Sequence, residues 1–185
     1  MASNLERAIK IATEAHDGQV RMGGEPYIVH PLGVAELLRK QGHSETTQTL
    51  GVLHDTVEDT PLTFSDLRNE GFDDEVLLPL DYLTKRDDPE FYERLLAGLN
   101  QQQYRDYVML LASGYMSPRH ALSLIRVAYS PFPRTRPVKT ADGSKNLDDT
   151  VKLIDMNAPD PRHVRQLVKY GHSVTYLTSF PIVLT

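Results

Sequence analysis

The feature that most limits the fold of this chain is the spacing of its apolar residues, which recur every three or four positions in segment after segment. The first such segment runs from Leu5 to Ala15, and Gly18 follows where a helix usually ends. Similar spacing predicts a second helix that begins near Pro31 and a third over residues 45–59. Patterns typical of β-strands are scarce. The sequence therefore predicts an all-α protein, built as a helical bundle.

Further short helices are predicted between residues 63 and 171, because glycine, proline or small polar residues separate the apolar segments there. Thr63 and Asp66 form a helix-capping signature, and "SPFPRTRP" predicts a loop that ends at Pro137. The pairing of the apolar tail "SVTYLTSFPIVLT" stays open. A chain of 185 residues favours a single domain. The predicted helices cover residues 63–70, 73–84, 89–97, 100–113, 118–129, 138–156 and 161–171.

Composition excludes several kinds of protein. Lys and Arg number 20 against 25 Asp and Glu, so the formal net charge of −5 disfavours nucleic acid as a partner. The chain has no cysteine, so a metal site would need imidazole and carboxylate ligands. It has no signal-like amino terminus and no apolar run of about 18 residues, which predicts a cytoplasmic protein without a membrane partner. The oligomeric state stays open, a homo-oligomer included.

The stretch "VLHDTVEDT" places four titratable groups in six positions, namely His54, Asp55, Glu58 and Asp59. In a helix, positions three and four apart share a face, so both acidic residues of the second doublet lie near the first doublet. His54 and Asp55 are about 100° apart around a helix and converge only on an ion above the edge between them. Two interpretations remain: a solvated polar helix face, or a metal site with its own acid–base pair.

Four motifs occur in one order along the chain: "GEPYIVHP", "VLHDTVEDT", "LTKR" and "VKTADGSKN". His30 before a proline, the His54–Asp55 doublet and Asp142 resemble the HD-domain metal-dependent phosphohydrolases. More narrowly, the motifs resemble the hydrolase domain of the RelA/SpoT family, especially its small stand-alone alarmone hydrolases. The resemblance spans about residues 5–157. It implies an HD-domain helical bundle over residues 1–157, with 158–185 as a C-terminal helix and tail packed on the same domain.

The resemblance implies a metal site with two imidazole and two carboxylate ligands. Such a ligand set without sulfur suits a borderline divalent ion. Mn²⁺ is the ion that the family implies, and Fe²⁺, Ni²⁺ and Zn²⁺ compete on affinity. The implied ligands are His30, His54, Asp55 and Asp142.

The same resemblance assigns four other residues. Glu58 and Asp59 correspond to the catalytic Glu–Asp pair that orients the attacking water and transfers protons. Asn146 matches an asparagine that holds the nucleotide ribose, although it could bond locally instead. Arg21 matches a loop arginine that packs beside the base and near phosphate. Met22 departs from the family, where a lysine usually follows this arginine, and leaves the choice of base open.

Lysines and arginines near these motifs have two interpretations. Lys139 and Lys145 flank Asp142 and could meet phosphates or be neutralised by adjacent carboxylates. Arg134 and Arg136 in the loop at 131–137 could compensate for the missing lysine, or be solvated. Gly143, where the family has a larger residue, predicts a local bend in the helix.

The leading prediction is metal-dependent hydrolysis of the 3′-pyrophosphate of (p)ppGpp or a relative such as (p)ppApp, with a small-molecule nucleotide as the substrate. Since neither a synthetase domain nor a regulatory extension fits within 185 residues, the resemblance implies hydrolysis alone. One alternative keeps the site and changes the substrate, to the 2′-phosphate of NADPH or to a nucleoside monophosphate. The other is a noncatalytic nucleotide-binding or antitoxin module.

Overall fold

The computed structural model describes residues 2–154, 158 and 160–180. Within them every regular element is a helix, and extended backbone pairs only at an isolated bridge between Val20 and Pro26. The prediction of an all-α, single-domain bundle is confirmed. The helices are α1 (Asn4–Ala15), α2 (Val29–Lys40), α3 (Glu45–Leu53), α4 (Thr56–Asp59), α5 (Phe64–Asn69), α6 (Asp74–Leu83), α7 (Pro89–Ala97), α8 (Gln101–Ala112), α9 (Pro118–Ala128), α10 (Thr135–Leu153) and α11 (Pro161–Thr178).

Side-chain caps explain where most of these helices begin. A serine, threonine, aspartate or asparagine side chain accepts a hydrogen bond from a backbone N–H of the first turn, which has no partner within the helix. At α5 the predicted capping signature is confirmed: the Asp66 amide donates to Thr63 Oγ1 at 3.2 Å, and the Thr63 amide donates to Asp66 Oδ2 at 2.8 Å. The capping residues are Ser3, Ser44, Thr63, Asp73, Asp88, Asn100, Ser117 and Asp160.

Helix α3 lies at the centre of the bundle and packs against α1, α2, α6 and α10. Leu50 and Leu53 on α3 are fully buried. Gly51 lets α2 approach closely, because a Cβ at this position would lie 2.8 Å from Leu38 Cδ1. The burial of these residues holds the last turn of α3 in place, and His54 follows directly after it.

The predicted single helix over residues 45–59 is interrupted. Helix α3 ends at Leu53 and α4 begins at Thr56, so the His54–Asp55 doublet forms the junction. The cause is local: His54 Nδ1 donates to the Gly51 carbonyl oxygen at 2.8 Å. In a continuing helix the Gly51 carbonyl would accept a hydrogen bond from the backbone N–H of Asp55. A side chain that competes for such a backbone acceptor weakens the helix.

Two further predictions about helix extent need correction. Helix α10 begins at Thr135, inside the predicted loop, since Pro137 lies in the first turn, where proline is tolerated. As the sequence predicts, α10 is helical through Gly143, and the local bend there stays a prediction. Helix α11 extends to Thr178 and so includes the first part of the apolar tail.

Three predictions fall partly on residues outside those described. They concern the end of the helix at 155–156, the domain boundary at 157 and the last five residues of the tail, 181–185. The division at 157 stays a prediction.

Among the described residues, α11 packs along α10. No helix within them is both long and apolar enough to cross a membrane.

Candidate metal centre and adjoining cavities

Three separate elements bring the four predicted metal ligands together. His30 lies in the first turn of α2, His54 and Asp55 form the α3–α4 junction, and Asp142 lies on α10. One ligand atom of each of His30, His54 and Asp55 lies within 4.8 Å of the others. Asp142 Oδ1 lies 3.1 Å from His30 Nε2 and 3.5 Å from His54 Nε2. The residues that the sequence predicted therefore form one buried cluster.

The His54 ring is oriented as a metal ligand would be. Because Nδ1 donates to the Gly51 carbonyl, the neutral ring carries its lone pair on Nε2. Nε2 is buried, has no hydrogen-bond partner of good geometry among the described residues, and lies 3.1 Å from Asp55 Oδ2. A buried polar atom without a partner is rare, and a cation shared with the two carboxylates would satisfy it. The cluster thus fits a divalent cation.

The electrostatics of the cluster agree with this fit. Burial lowers the pKa of His30. For His54 burial has the same effect, but the carboxylates of Asp55 and Asp142 outweigh it and raise the pKa to about 10. Burial also opposes ionisation of the two carboxyl groups, yet the His54 and Lys139 cations hold their pKa values below the usual range. The site attracts positive charge, so a divalent cation would replace a proton there.

The predicted catalytic residue Glu58 lines the same cavity as the cluster and is held by Lys85. The Lys85 ammonium lies 2.5 Å from Glu58 Oε1, and the Lys85 backbone N–H donates to Glu58 Oε2 at 3.1 Å. Both carboxylate oxygens are therefore oriented by one residue of the "LTKR" motif.

The second predicted catalytic residue, Asp59, is joined to the cluster by Tyr27. The Tyr27 hydroxyl lies 2.8 Å from Asp59 Oδ2 and 2.9 Å from Asp55 Oδ2. A single hydroxyl hydrogen cannot be donated to both carboxylates at once. Burial raises the pKa of Asp59, and a protonated Asp59 can donate to the Tyr27 oxygen while Tyr27 donates to Asp55. The three groups thus form a continuous hydrogen-bond chain.

The two predicted substrate-binding residues contact each other. Arg21 Nη2 donates to Asn146 Oδ1 at 3.0 Å, and Asn146 Nδ2 donates to Asp142 Oδ1 at 2.6 Å. Arg21 is carried by a tight loop in which Gly24 adopts φ +87°, a conformation that favours glycine. The Arg21 guanidinium also lies 3.4 Å from Asp149 Oδ2. Asn146 therefore links the metal cluster to the arginine loop.

Two adjoining cavities flank this link. The first, of about 170 Å³, is lined by three residues of the cluster, namely His30, Asp55 and Asp142, together with Glu58 and Asp59. The second, of about 420 Å³, is lined by Arg21, Met22 and residues of α10 and α11. Tyr27, Asn146 and Tyr170 line both cavities.

Of the two interpretations of Lys139, neutralisation by an adjacent carboxylate is the one observed, since Lys139 donates to Asp142 Oδ2 at 2.7 Å and is buried. Three other lining residues were not predicted from the sequence. His120, Lys169 and Ser173 reach the first cavity from α9 and α11. No local spacing relates them to the motifs, because only the packing of the helices brings them near. Arg134 instead pairs with Glu75 at 3.0 Å, and Arg136 lies over the Phe180 ring.

Comparison with known proteins places this arrangement in a family. Residues 8–105 match the HD domain. A GTP pyrophosphokinase of Streptomyces coelicolor is 46% identical over 89 residues, which cover 48% of this chain and 10% of that protein. The bifunctional (p)ppGpp synthase/hydrolase SpoT of Escherichia coli is 44% identical over 63 residues, or 34% of this chain and 9% of SpoT. The chain thus spans about a tenth of the length of these relatives.

A solved structure extends the match to the fold as a whole. It is the structure of a metazoan ortholog of SpoT that hydrolyzes ppGpp and plays a role in starvation responses. It aligns with a TM-score of 0.66 at 20% identity, covering 96% of this chain and 86% of that one. The HD domain match covers more than half of the residues, so the chain belongs to the HD-domain family, and within it the sequence is similar to proteins of the RelA/SpoT type.

Proposed function

We propose that this chain is a Mn²⁺-dependent hydrolase that removes the 3′-pyrophosphate of (p)ppGpp or of a relative such as (p)ppApp. The observation that carries the proposal is that His30, Asp55 and Asp142 of the four-residue cluster line one cavity together with the Glu58–Asp59 pair. Similarity to synthase/hydrolases of the SpoT type supports hydrolysis. In the proposed reaction water adds to the 3′-linked phosphorus, the bond from phosphorus to O3′ breaks, O3′ takes up a proton, and pyrophosphate and the nucleoside with its 5′-diphosphate or 5′-triphosphate intact leave.

His30, His54, Asp55 and Asp142 would hold the ion. A divalent ion bound there supplies water of lowered pKa and withdraws charge from a phosphoryl oxygen. Lys139 keeps Asp142 ionised, since burial alone would favour the neutral acid. The protein's own contribution is a buried set of ligands held in fixed positions.

Glu58 and Asp59 would manage the protons of the reaction. One carboxylate accepts the proton of the attacking water, and the other returns a proton to the leaving O3′ oxygen. The raised pKa of Asp59 suits it to the donor role, and the chain through Tyr27 holds its carboxyl group in place. Lys85 orients the Glu58 carboxylate, which is the group assigned as the base.

The second cavity would take the nucleoside. Its volume of about 420 Å³ suits a purine and part of a ribose, and Arg21 and Met22 supply a planar cation and a flexible thioether for a base face. Asn146 stands between the two cavities, where a ribose would join the base to the 3′-phosphates. This order along the cavities supports a nucleotide phosphorylated at O3′.

The test is the release of phosphate and pyrophosphate by purified, metal-analysed protein. Its nucleotide panel contains ppGpp, ppApp, NADPH and nucleoside monophosphates. We expect release of pyrophosphate from a 3′-diphosphate. Release of monophosphate from NADPH or a nucleoside monophosphate would favour a different substrate of the same site. No release from any nucleotide by metal-loaded protein would indicate a noncatalytic module.

The Glu58→Gln variant tests the proposed base. We expect turnover to fall by about 10²–10⁴-fold, the usual contribution of a general base, while metal content stays unchanged. Glu14→Gln, at an exposed position of α1, is the matched control and should leave turnover unchanged. Substantial activity in Glu58→Gln would contradict the assigned role.

A further inference from the structure

The wall of the first cavity that faces α9 and α11 is not explained by metal binding. It carries His120 from α9 and Lys169 and Ser173 from α11, while Lys85 and Lys139 line the same cavity from other elements. Cations from three separate parts of the chain therefore converge beside the metal cluster. Such convergence costs free energy unless an anion balances the charge.

Lys169 differs from the other two lysines in its partners. Lys85 pairs with Glu58 and Lys139 pairs with Asp142. No carboxylate within the described part of the chain lies in ion-pair distance of Lys169, whose ammonium is 4.2 Å from the Tyr170 ring centroid. Burial and the neighbouring lysines lower its pKa. Lys169 is thus a partly buried cation without an anionic partner.

The charge of the metal-loaded cavity also favours an anion. Four carboxyl groups and three ammonium groups line it. With every carboxyl group ionised the formal charge is −1, and with Asp59 protonated, as its proposed donor role requires, it is 0. A divalent cation changes these values to +1 and +2. Because the carboxylates lie with the metal ligands and the water-orienting pair, the excess positive charge lies toward Lys169.

His120 fixes the turn of α11 that carries this lysine. Ser173 Oγ donates to the Lys169 carbonyl oxygen at 2.8 Å, so it must accept from His120 Nε2–H, which lies 3.1 Å away. Burial and nearby lysines keep His120 neutral. Its role is therefore to hold α9 and α11 together, not to add charge.

We propose that Lys169 binds the phosphoryl group farther from the cleaved bond, and that His120 is a positioning residue for it. The metal cluster and the Glu58–Asp59 pair take the phosphorus under attack, which leaves the unpaired ammonium for the terminal phosphoryl group. Lys169 then selects a 3′-diphosphate over a monophosphate. The assignment rests on the proposed function for the identity of the substrate.

Binding of inorganic pyrophosphate and inorganic phosphate tests Lys169 without turnover. The Mn²⁺-loaded protein, freed of excess ion, is titrated with each anion by calorimetry. We expect Lys169→Met to weaken pyrophosphate binding by about 10–100-fold, the effect of one charge-assisted contact, and phosphate binding by less than about threefold. Lys10→Met, at an exposed position of α1, should change neither affinity.

Each outcome bears on one claim. If Lys169→Met weakened the binding of phosphate and of pyrophosphate equally, the assignment to the terminal phosphoryl group would be overturned. It would also be overturned if Lys169→Met bound pyrophosphate as tightly as Lys10→Met does. Binding is measured without hydrolysis, so the two proposals can fail separately. A protein that binds pyrophosphate through Lys169 but hydrolyses no nucleotide would overturn the proposed function and retain the assignment of Lys169. Metal content measured after each titration confirms that the ion stays bound.

Conservative rescue tests His120. Gln retains an N–H donor for Ser173, whereas Ala does not. We expect His120→Ala to weaken pyrophosphate binding by about fivefold, the loss of one hydrogen bond, and His120→Gln to restore it to within about twofold. Equal losses in the two variants, with both folded by circular dichroism, would overturn the positioning role.

Discussion

His120 is a partly buried neutral imidazole surrounded mainly by positive charge, and this makes it a source of pH-dependent stability. Burial and the ammonium groups of Lys139, Lys169 and Lys85 lower its pKa to about 3 from 6.5, while Asp142 acts weakly in the opposite direction. In the unfolded chain the His120 imidazole therefore binds a proton near pH 6.5, whereas in the folded chain it stays neutral at that pH. Stability from this group is complete above pH 6.5 and is lost as the pH falls toward 3.

The measurement is urea unfolding of metal-free protein between pH 7.5 and pH 5.5. Over this interval we expect wild type to lose about 1.4 kcal/mol more than His120→Gln, since one unit of differential protonation is worth about 1.4 kcal/mol. Glutamine cannot titrate and retains the donor to Ser173. The other histidines are common to both proteins and cancel. Parallel pH profiles for the two proteins would show that His120 titrates normally.

The sequence predicted the residues of the proposed metal site and the Glu58–Asp59 pair, and it did not predict Lys169. His54, Asp55, Glu58 and Asp59 lie within six positions, so their proximity follows from the sequence. The other two predicted ligands came from the resemblance to a known family. Lys169 lines the same cavity as the Glu58–Asp59 pair only because α11 folds back along α10. No spacing in the sequence expresses that contact.

At the scale of helices, the sequence predicts existence better than extent. Helix α3 stops where the His54 side chain takes the Gly51 carbonyl, a local event that apolar spacing does not reveal. Helix α10 starts before Pro137, although a run of prolines predicts a loop. In the first place the His54 side chain ends the helix. In the second, the Pro137 ring is tolerated only in the first turn, so α10 begins just before it.

Gly143 determines how closely α11 packs on α10. A Cβ there would lie 2.9 Å from Val174 Cγ2, and valine has little rotamer freedom in a helix with which to move away. Substitution by alanine therefore overpacks the interface beside the first cavity, at a cost of about 1–3 kcal/mol. The gain in helix propensity is at most about 1 kcal/mol.

We therefore expect Gly143→Ala to lower the free energy of unfolding by about 1 kcal/mol. Gly171→Ala is the matched control, because Gly171 lies within α11 and a Cβ there meets nothing within 4 Å. That variant should raise the free energy of unfolding by about 0.5–1 kcal/mol. Chemical unfolding of both variants measures the difference. Stabilisation by Gly143→Ala would show that the two helices separate readily at this point.

For the molecule as a whole, the proposed metal site would act as a clamp. His30, His54 and Asp142 lie on α2, after α3 and on α10, so one ion would join these three parts of the chain. Without the ion, the carboxylates and imidazoles are held together by shared protons and by Lys139. Ion binding to the folded state alone raises stability by about 2.7 kcal/mol at one hundred times the dissociation constant.

In a chain of this size about 1 kcal/mol shifts the melting temperature by roughly 2–4 °C, so saturating Mn²⁺ should raise it by roughly 5–10 °C relative to chelated protein. Differential scanning fluorimetry with and without chelator measures this shift. Asp142→Asn should abolish the shift, since an amide is a poor ligand for the ion and leaves Lys139 unpaired. Glu58→Gln should keep it, because Glu58 is oriented by Lys85 and lies outside the ligand set. If Glu58→Gln lost the shift and Asp142→Asn kept it, the ion would lie elsewhere in the cavity, and the two carboxylates would exchange the roles assigned to them.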